Sequence, residues 1–289
     1  MSGTFGCQNM YQQLRKVLVR PPDGAFGVAD PQRWHYTGQP DLAVAISEHE
    51  ALVEQIRDSG AEVIVHDHEL PDHADALYVH DPAIVTDRGA IILRMGKVLR
   101  RGEEEAIAAA FEKAGVPIHA KLTGEALAEG GDLLWIDEGT LAVGQGYRTN
   151  AEGLRQLTAA LRPLEVETLP VQLPYCDGPV ACLHLMSLIS ILDADLAVVF
   201  LPLLPVPFVE LLKSQGFRLV EIPESEFPTM ATNVLALGPR RCLALDGNPQ
   251  TRRRLEDAGC EVLTYRGVEL SLKAEGGPTC LTRPIFRSG

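Results

Sequence analysis

The stretch Ser59-Gly60-Ala61-Glu62-Val63-Ile64-Val65 has three echoes farther along the chain. They are Ala114-Gly115-Val116-Pro117-Ile118, Gln215-Gly216-Phe217-Arg218-Leu219-Val220 and Ala258-Gly259-Cys260-Glu261-Val262-Leu263. Each follows an amphipathic run and sets a glycine before an apolar segment. A glycine just past a helix takes a left-handed conformation at no steric cost and stops it. The apolar run that follows reads as a strand. Helices are expected at 47–58, 102–113, 150–161, 208–215 and 248–258, with a glycine-less turn near Pro163 closing the third. The joints lie 55 residues apart from Gly60 to Gly115 and 43 apart from Gly216 to Gly259. That is the range of internal repeats. An ordinary α/β domain, in which such joints also recur, accounts for them as well.

What precedes each helix favours the repeat. Pairs of apolar segments occur at 77–85 with 90–93, 132–136 with 140–143, 181–188 with 196–200, and 233–237 with 242–245; a first unit begins at 16–19. Each unit reads strand, strand, helix, strand. Five such α/β units can close into a ring with helices outside and strand ends at the centre. No long linker interrupts them, so residues 1–289 are expected to form one domain, with 1–13 as a frayed arm.

Composition narrows the function. Of 289 residues, 46% are hydrophobic and 22% charged, as in ordinary globular proteins. Acidic residues outnumber basic ones, 39 to 26, for a formal charge of −13. Such a chain lacks the electrostatic footprint for nucleic acid or an anionic membrane. The most apolar run, 196–212, is broken by Pro202, Pro205, Pro207 and Glu210 and is too short to span a bilayer. No charged segment leads into an apolar core at the start, so the cytoplasm is the expected location. Six cysteines (Cys7, Cys176, Cys182, Cys242, Cys260 and Cys280) are dispersed without a C-x-x-C pair, against a disulfide framework or structural zinc site.

Polar residues stand where the first strands of several units begin: Asp81, Glu129 with Asp132, His184 and Asn233. Cys280, after Gly276-Gly277-Pro278, would complete the set. A ring would bring these remote positions to its axis. A thiolate, a histidine and carboxylates facing one cavity amount to a nucleophile, a proton shuttle and a cation clamp. Taken singly, each has a plainer reading: a buried cysteine is a small hydrophobe, and Asp before Pro is a turn former.

The ordered set Asp75 six residues before Asp81-Pro82, Arg100-Arg101-Gly102-Glu103, Glu129-Gly130-Gly131-Asp132, Arg148-Thr149-Asn150-Ala151-Glu152-Gly153, Leu183-His184-Leu185, Asn233-Val234 and Gly277-Pro278-Thr279-Cys280 resembles the guanidine-modifying, or pentein, superfamily. Its dimethylarginine dimethylaminohydrolase branch is the most similar. With Leu18-Val19-Arg20 added, the resemblance covers nearly the whole chain. It implies a five-fold pseudosymmetric ββαβ propeller and a small cationic guanidino substrate. It implies roles residue by residue: Cys280 as nucleophile, His184 as general acid and base, Glu129 and Asp81 as guanidinium clamps. Arg100 and Arg148 become α-carboxylate binders, and Asp75 an α-amino partner. Hydrolysis of an N-methylated arginine to citrulline and a methylamine would pass through a covalent thiouronium, with no metal or organic cofactor.

The chain departs from that pattern at two places. Met186 stands two residues after the histidine, where deiminases carry a carboxylate, and His80 stands where an acidic residue is common. An apolar Met186 facing a substrate methyl would favour methylated substrates over arginine; plain core packing is the other reading. Arginine deiminase and amidinotransferase remain alternatives on the same fold, and a non-catalytic arginine-binding protein lies outside the enzyme class. A chemical rival is a metal-dependent hydrolase. The run Val65-His66-Asp67-His68-Glu69-Leu70-Pro71-Asp72-His73 is rich in ligands, and His66 and His68 would share one face of a strand. The oligomeric state stays open, a homodimer included.

Overall fold

The structure, a computed structural model, describes residues 4–179 and 183–288. In chain order, strand β1 (Leu14–Val19) leads through short helices α1 (Gly24–Gly27) and α2 (Pro31–Trp34) to the long helix α3 (Leu42–Asp58) and strand β2 (Glu62–Val65). Asp41 caps α3 by accepting from the Val44 amide, and Ala45, Leu52, Val53 and Ile56 form its buried face. Gly60 ends it at φ +94°, as the sequence predicts. Next come β3 (Ala83–Thr86), β4 (Gly89–Ile92), α4 (Glu103–Lys113) and β5 (Ile118–Lys121). The pattern then repeats as β6 (Leu133–Asp137), β7 (Thr140–Gln145), α5 (Ala151–Leu161) and β8 (Glu167–Gln172). It repeats again as β9 (Ile189–Asp193), β10 (Leu196–Val199), α6 (Val206–Ser214) and β11 (Arg218–Glu221). A further unit follows as β12 (Val234–Gly238), β13 (Arg241–Leu245), α7 (Pro249–Asp257) and β14 (Glu261–Tyr265), before the last strand β15 (Arg283–Arg287).

These strands form five three-stranded sheets. In four of them a hairpin is antiparallel and the strand after the helix lies parallel to the hairpin's second strand, as in Ala83↔Ile92 of β3–β4 and Ala90↔Ile118 of β4–β5. The remaining sheet obeys the same rule with parts from far apart. There β15 supplies the first strand, antiparallel to β1 at Val17↔Pro284, and β2 lies parallel to β1 at Val17↔Val63. The sequence reading lacks β15. The glycine-less joint is also explained: Glu165 takes the left-handed position at φ +57° after Arg162–Leu164, where the other units use glycine.

Three sequence expectations are corrected. The segment 77–85 is not one strand. A 3-10 turn (Ala74–Leu77) and bends carry the chain to β3, because Pro82 offers no N–H to a sheet and the Asp81 carboxylate is engaged elsewhere. Likewise 185–187 form a 3-10 turn and the strand begins at Ile189; Val180, Ala181 and Cys182 lie outside the described residues. The expected arm is packed from Gly6 onward. Gly6 pairs with Phe286, its amide donates to Ile285 O, and Cys7, Gln8 and Asn9 are buried. No helix among the described residues is long and apolar enough to cross a membrane.

Candidate active site

Each unit delivers a polar residue just before its first strand. Asp81 precedes β3, Asp132 precedes β6, His184 caps the turn before β9, Asn233 precedes β12 and Cys280 precedes β15. A cavity of about 420 Å³ has Asp75, Asp81, Arg100, Arg148, His184, Asn233 and Cys280 in its wall. Glu129, wholly buried, stands behind it and meets the wall through His184. These eight residues, each singled out from the sequence, thus gather in one place.

The centre is a tight ionic cluster. His184 Nε2 lies 2.7 Å from Glu129 Oε2. The other carboxylate oxygen of Glu129 accepts the Lys97 amide at 2.8 Å, and Arg148 Nη1 stands 3.3 Å from Oε2. Burial alone would raise the Glu129 carboxyl, but the His184 hydrogen bond and the His184 and Arg148 charges outweigh it and hold it below its usual range. An ionised carboxylate only accepts, so Nε2 carries a proton. Asp81 accepts Arg100 Nη1 at 2.6 Å and the Gly131 amide at 3.0 Å. Burial opposes its charge as well, yet His184 and Arg100 together hold its carboxyl well below the ordinary value. One ligand atom each of Asp81, Glu129 and His184 lies within 4.8 Å of the others. That spacing suits carboxylates gripping a planar cation.

The local backbone makes this closeness feasible. A Cβ on Gly130 would collide with His80 O, and one on Gly131 with the His184 ring, so the Gly130-Gly131 pair is fixed by packing. Asp132 is the bracket beneath. It accepts the Thr149 hydroxyl at 2.6 Å and the Leu185 amide at 3.0 Å, and Thr149 Oγ1 in turn accepts the Glu129 amide. It thereby holds the neighbours of Arg148, His184 and Glu129. Burial pushes its carboxyl up to about 6.

At the other wall, Asn233 Nδ2 donates to Cys280 Sγ at 3.2 Å, while its Oδ1 accepts the Thr279 amide at 3.0 Å. The half-buried thiol is therefore aimed by its neighbour on a different unit.

The tail of the cavity differs from expectation. Arg100 is buried, with Nε and Nη2 on Glu103, Nη1 on Asp81 and Nη2 also on Tyr78 O at 2.8 Å. Four of its five N–H donors are thus engaged within the protein. Asp75 accepts Tyr36 Oη and Lys97 Nζ, both at 2.6 Å, and Lys97 sits 5.1 Å over the Trp34 ring. Sequence reasoning missed Lys97 and Tyr36, which no spacing announces. Glu103, three residues past Arg100 at a helix start, carried a readable signal.

Two readings left open by the sequence are decided against a role in the site. Met186 is not in the cavity wall; it is 4% exposed, in an apolar cluster with Leu134, Leu188 and Ile189. The 66–73 run is not a ligand cluster either. β2 ends at Val65, so His66 and His68 do not share a strand face, and their rings lie 6.4 Å apart. His66 Nδ1 accepts the His68 amide and His73 Nε2 meets Arg101 O. Among the described residues, the acidic and histidine side chains close enough to hold a metal ion are Asp81, Glu129 and His184.

Known proteins share this arrangement of chain. The family described as N,N dimethylarginine dimethylhydrolase, eukaryotic, matches residues 32–287. A dimethylarginine dimethylaminohydrolase of Streptomyces coelicolor is 32% identical over 270 residues, covering 93% of this chain and 96% of that one. The crystal structure of the Pseudomonas aeruginosa enzyme, as a variant complexed with citrulline, superposes with a TM-score of 0.78 at 25% identity over 94% of this chain and 99% of that one. An amidinotransferase of Microseira wollei shares the fold, with a TM-score of 0.80 at 16% identity over 99% of this chain and 98% of that one. A match over nearly the whole length, on a chain of five like units, leaves one assignment. The chain belongs to the dimethylarginine dimethylaminohydrolase family of the pentein superfamily, hydrolases acting on the C–N bonds of linear amidines.

Proposed function

We propose that this enzyme hydrolyses N-methylated arginine to citrulline and a methylamine, with Cys280 as nucleophile and His184 as proton carrier. The observation that carries this reading is the convergence of an aimed thiol, an imidazole held by an ionised carboxylate, and a second ionised carboxylate on one cavity. The guanidinium enters as a permanent cation and is gripped in its plane by Asp81 and Glu129. The thiolate adds to the guanidinium carbon. The tetrahedral adduct collapses as the departing amine takes a proton from His184, leaving a thiouronium on Cys280. Water, giving a proton to the same imidazole, attacks that carbon and frees the thiolate and the ureido product. Arg148 receives the substrate carboxylate. Arg100, in the cavity wall but held by Asp81 and Glu103, acts by orienting Asp81. Asp75, held by Lys97, is reached by a substrate ammonium only alongside that lysine.

The five sheets form the blades of a closed propeller in one catalytic domain. This reading rests on the repeated ββαβ pattern and on site residues drawn from every unit. Among the described residues, the free state of Cys7, Cys176, Cys242 and Cys260 fits a cytoplasmic protein.

The choice of methylated substrate draws support from the relatives rather than from Met186, which packs in the core. The test is to compare kcat/KM for monomethylarginine, asymmetric dimethylarginine and arginine, with product amines identified. A preference for arginine would return the enzyme to the deiminase class, and amidino transfer to an added amine would make it a transferase. Retained activity in a folded Cys280→Ala variant would sink the mechanism.

A further inference from the structure

The molecule contains a second, much smaller internal cavity, of about 20 Å³, whose wall includes Cys7, His80, Trp135, Thr279, Arg283 and Arg287. Five of these side chains leave a buried polar atom without a partner among the described residues: His80 Nε2, Trp135 Nε1, Thr279 Oγ1, Arg283 Nε and Arg287 Nε. All five residues are at most 5% exposed. Buried polar atoms are almost always satisfied, so five orphans around one cavity require an explanation.

The orphans are mostly of one kind. The indole and both arginine Nε atoms can only donate, and the threonine hydroxyl can donate. The outer guanidinium nitrogens already face carbonyls: Arg283 Nη2 on His80 O at 2.7 Å, Arg287 Nη1 on Gln12 O at 2.6 Å and Nη2 on Ala236 O at 2.8 Å. Carbonyls bring no net charge. The acid that bears on Arg283 is Asp81, and it is paired with Arg100. Burial pushes the Cys7 thiol up against the opposing pull of Arg283 and of Arg287, which hydrogen-bonds it, and its Sγ faces Asn9 O as a donor, so it supplies no negative charge either. Two guanidinium groups are thus buried without a counter-charge, an arrangement that is costly unless an anion joins them.

We propose that this cavity binds a single halide ion, chloride under cellular conditions. Its size admits one monatomic ion or one water. A water molecule accepts two hydrogen bonds and brings no charge, leaving the arginines uncompensated. A halide is not limited to two acceptor sites and brings the missing charge. His80 Nδ1 lies 2.9 Å from Thr282 O and so carries its proton there, which turns the Nε2 lone pair of the neutral ring toward the remaining space. The ion therefore sits on the indole and guanidinium side of the cavity. The wall is continuous with the catalytic residues. His80 precedes Asp81, its amide donates to Cys280 O, and the Thr279 amide is held by Asn233.

The test uses the whole protein, freed of halide by exchange into potassium methanesulfonate. Potassium bromide is then added at constant ionic strength. The expected result is a saturable rise in Tm of about 3–6 °C. In the Trp135→Phe variant, which keeps the ring's bulk but loses the donor, the rise should need several-fold more bromide. Crystals grown in bromide should show an anomalous peak in contact with Trp135 Nε1 and Arg287 Nε. Superimposable melting curves in bromide and methanesulfonate would overturn the proposal. So would a crystal grown in bromide with no anomalous signal in the cavity, whether or not Trp135→Phe folds.

Discussion

Asn233 Nδ2 donates a hydrogen bond to Cys280 Sγ across 3.2 Å, from a loop before β12 to a loop before β15. A donor aimed at sulfur favours the thiolate over the thiol. Replacing Asn233 with Leu should raise the thiol's ionisation midpoint and lower kcat at least about tenfold, a loss of more than about 1.4 kcal/mol. The check is the pH profile of Cys280 alkylation, which should move to higher pH. An unmoved profile would reduce Asn233 to a packing residue.

Arg100 and Arg148 should behave differently despite their similar appearance in the sequence. Arg100 holds two buried carboxylates, so Arg100→Ala strands both and should cost about 3–5 kcal/mol of stability. Arg148 contacts Glu129 less closely and lines the cavity. Arg148→Ala should keep the fold and raise KM for an amino-acid substrate at least about tenfold, through loss of a charge-assisted contact. Denaturant unfolding and steady-state kinetics on both variants separate the two roles. Equal KM effects from both would refute the distinction.

Asp132 makes a pH signature. Its carboxyl is raised from 3.8 to about 6 by burial. A folded acid with a raised midpoint binds more protons than the unfolded chain between those values. Its contribution to stability is therefore greatest below about pH 4 and falls as pH rises through 6, by about 3 kcal/mol in all. Subtracting the unfolding free energy of Asp132→Asn from that of the native enzyme at pH 4, 5, 6 and 7 should trace this decline. A flat difference would mean that folding leaves the Asp132 midpoint unshifted.

The other cysteines should be dispensable for turnover. Cys242 and Cys260 lie on or beside strands of the fourth hairpin unit, away from the cavity wall. Cys242→Ala and Cys260→Ala should each keep kcat within about threefold while lowering Tm through lost packing. A mechanism-based amidine should label Cys280 in both variants; label on any other cysteine would contradict the assignment.

The repeat was legible because four of its five helices end on a glycine followed by an apolar strand, and both signals are local. The gathering of Asp81, Glu129, His184, Asn233 and Cys280 was legible because each sits just ahead of a first strand. What escaped was the non-local pairing. β15 reads as Arg283-Pro284-Ile285-Phe286-Arg287, with a proline and two arginines, and only its partner β1 makes it a strand. The fate of Arg100 escaped for a similar reason. A buried arginine and a substrate-binding arginine look alike until the carboxylates around them are counted, and Glu103 decides the matter. Met186 sits two residues beyond a site residue, but the intervening 3-10 turn rotates it into the core.

The pairing of β1 with β15 has a consequence for how this enzyme is made. β1 can join β2 early, but its other edge finds a partner only after four further units have left the ribosome. Until then Val17, Leu18 and Val19, fully buried in the finished molecule, border an open sheet edge, the kind of surface that recruits foreign strands. Cys280 arrives in the same late segment. Nascent chains therefore carry Asp81, Glu129 and His184 before they carry Cys280, the proposed nucleophile. Under the proposed mechanism, reactivity begins only with the segment that also seals the open edge of β1.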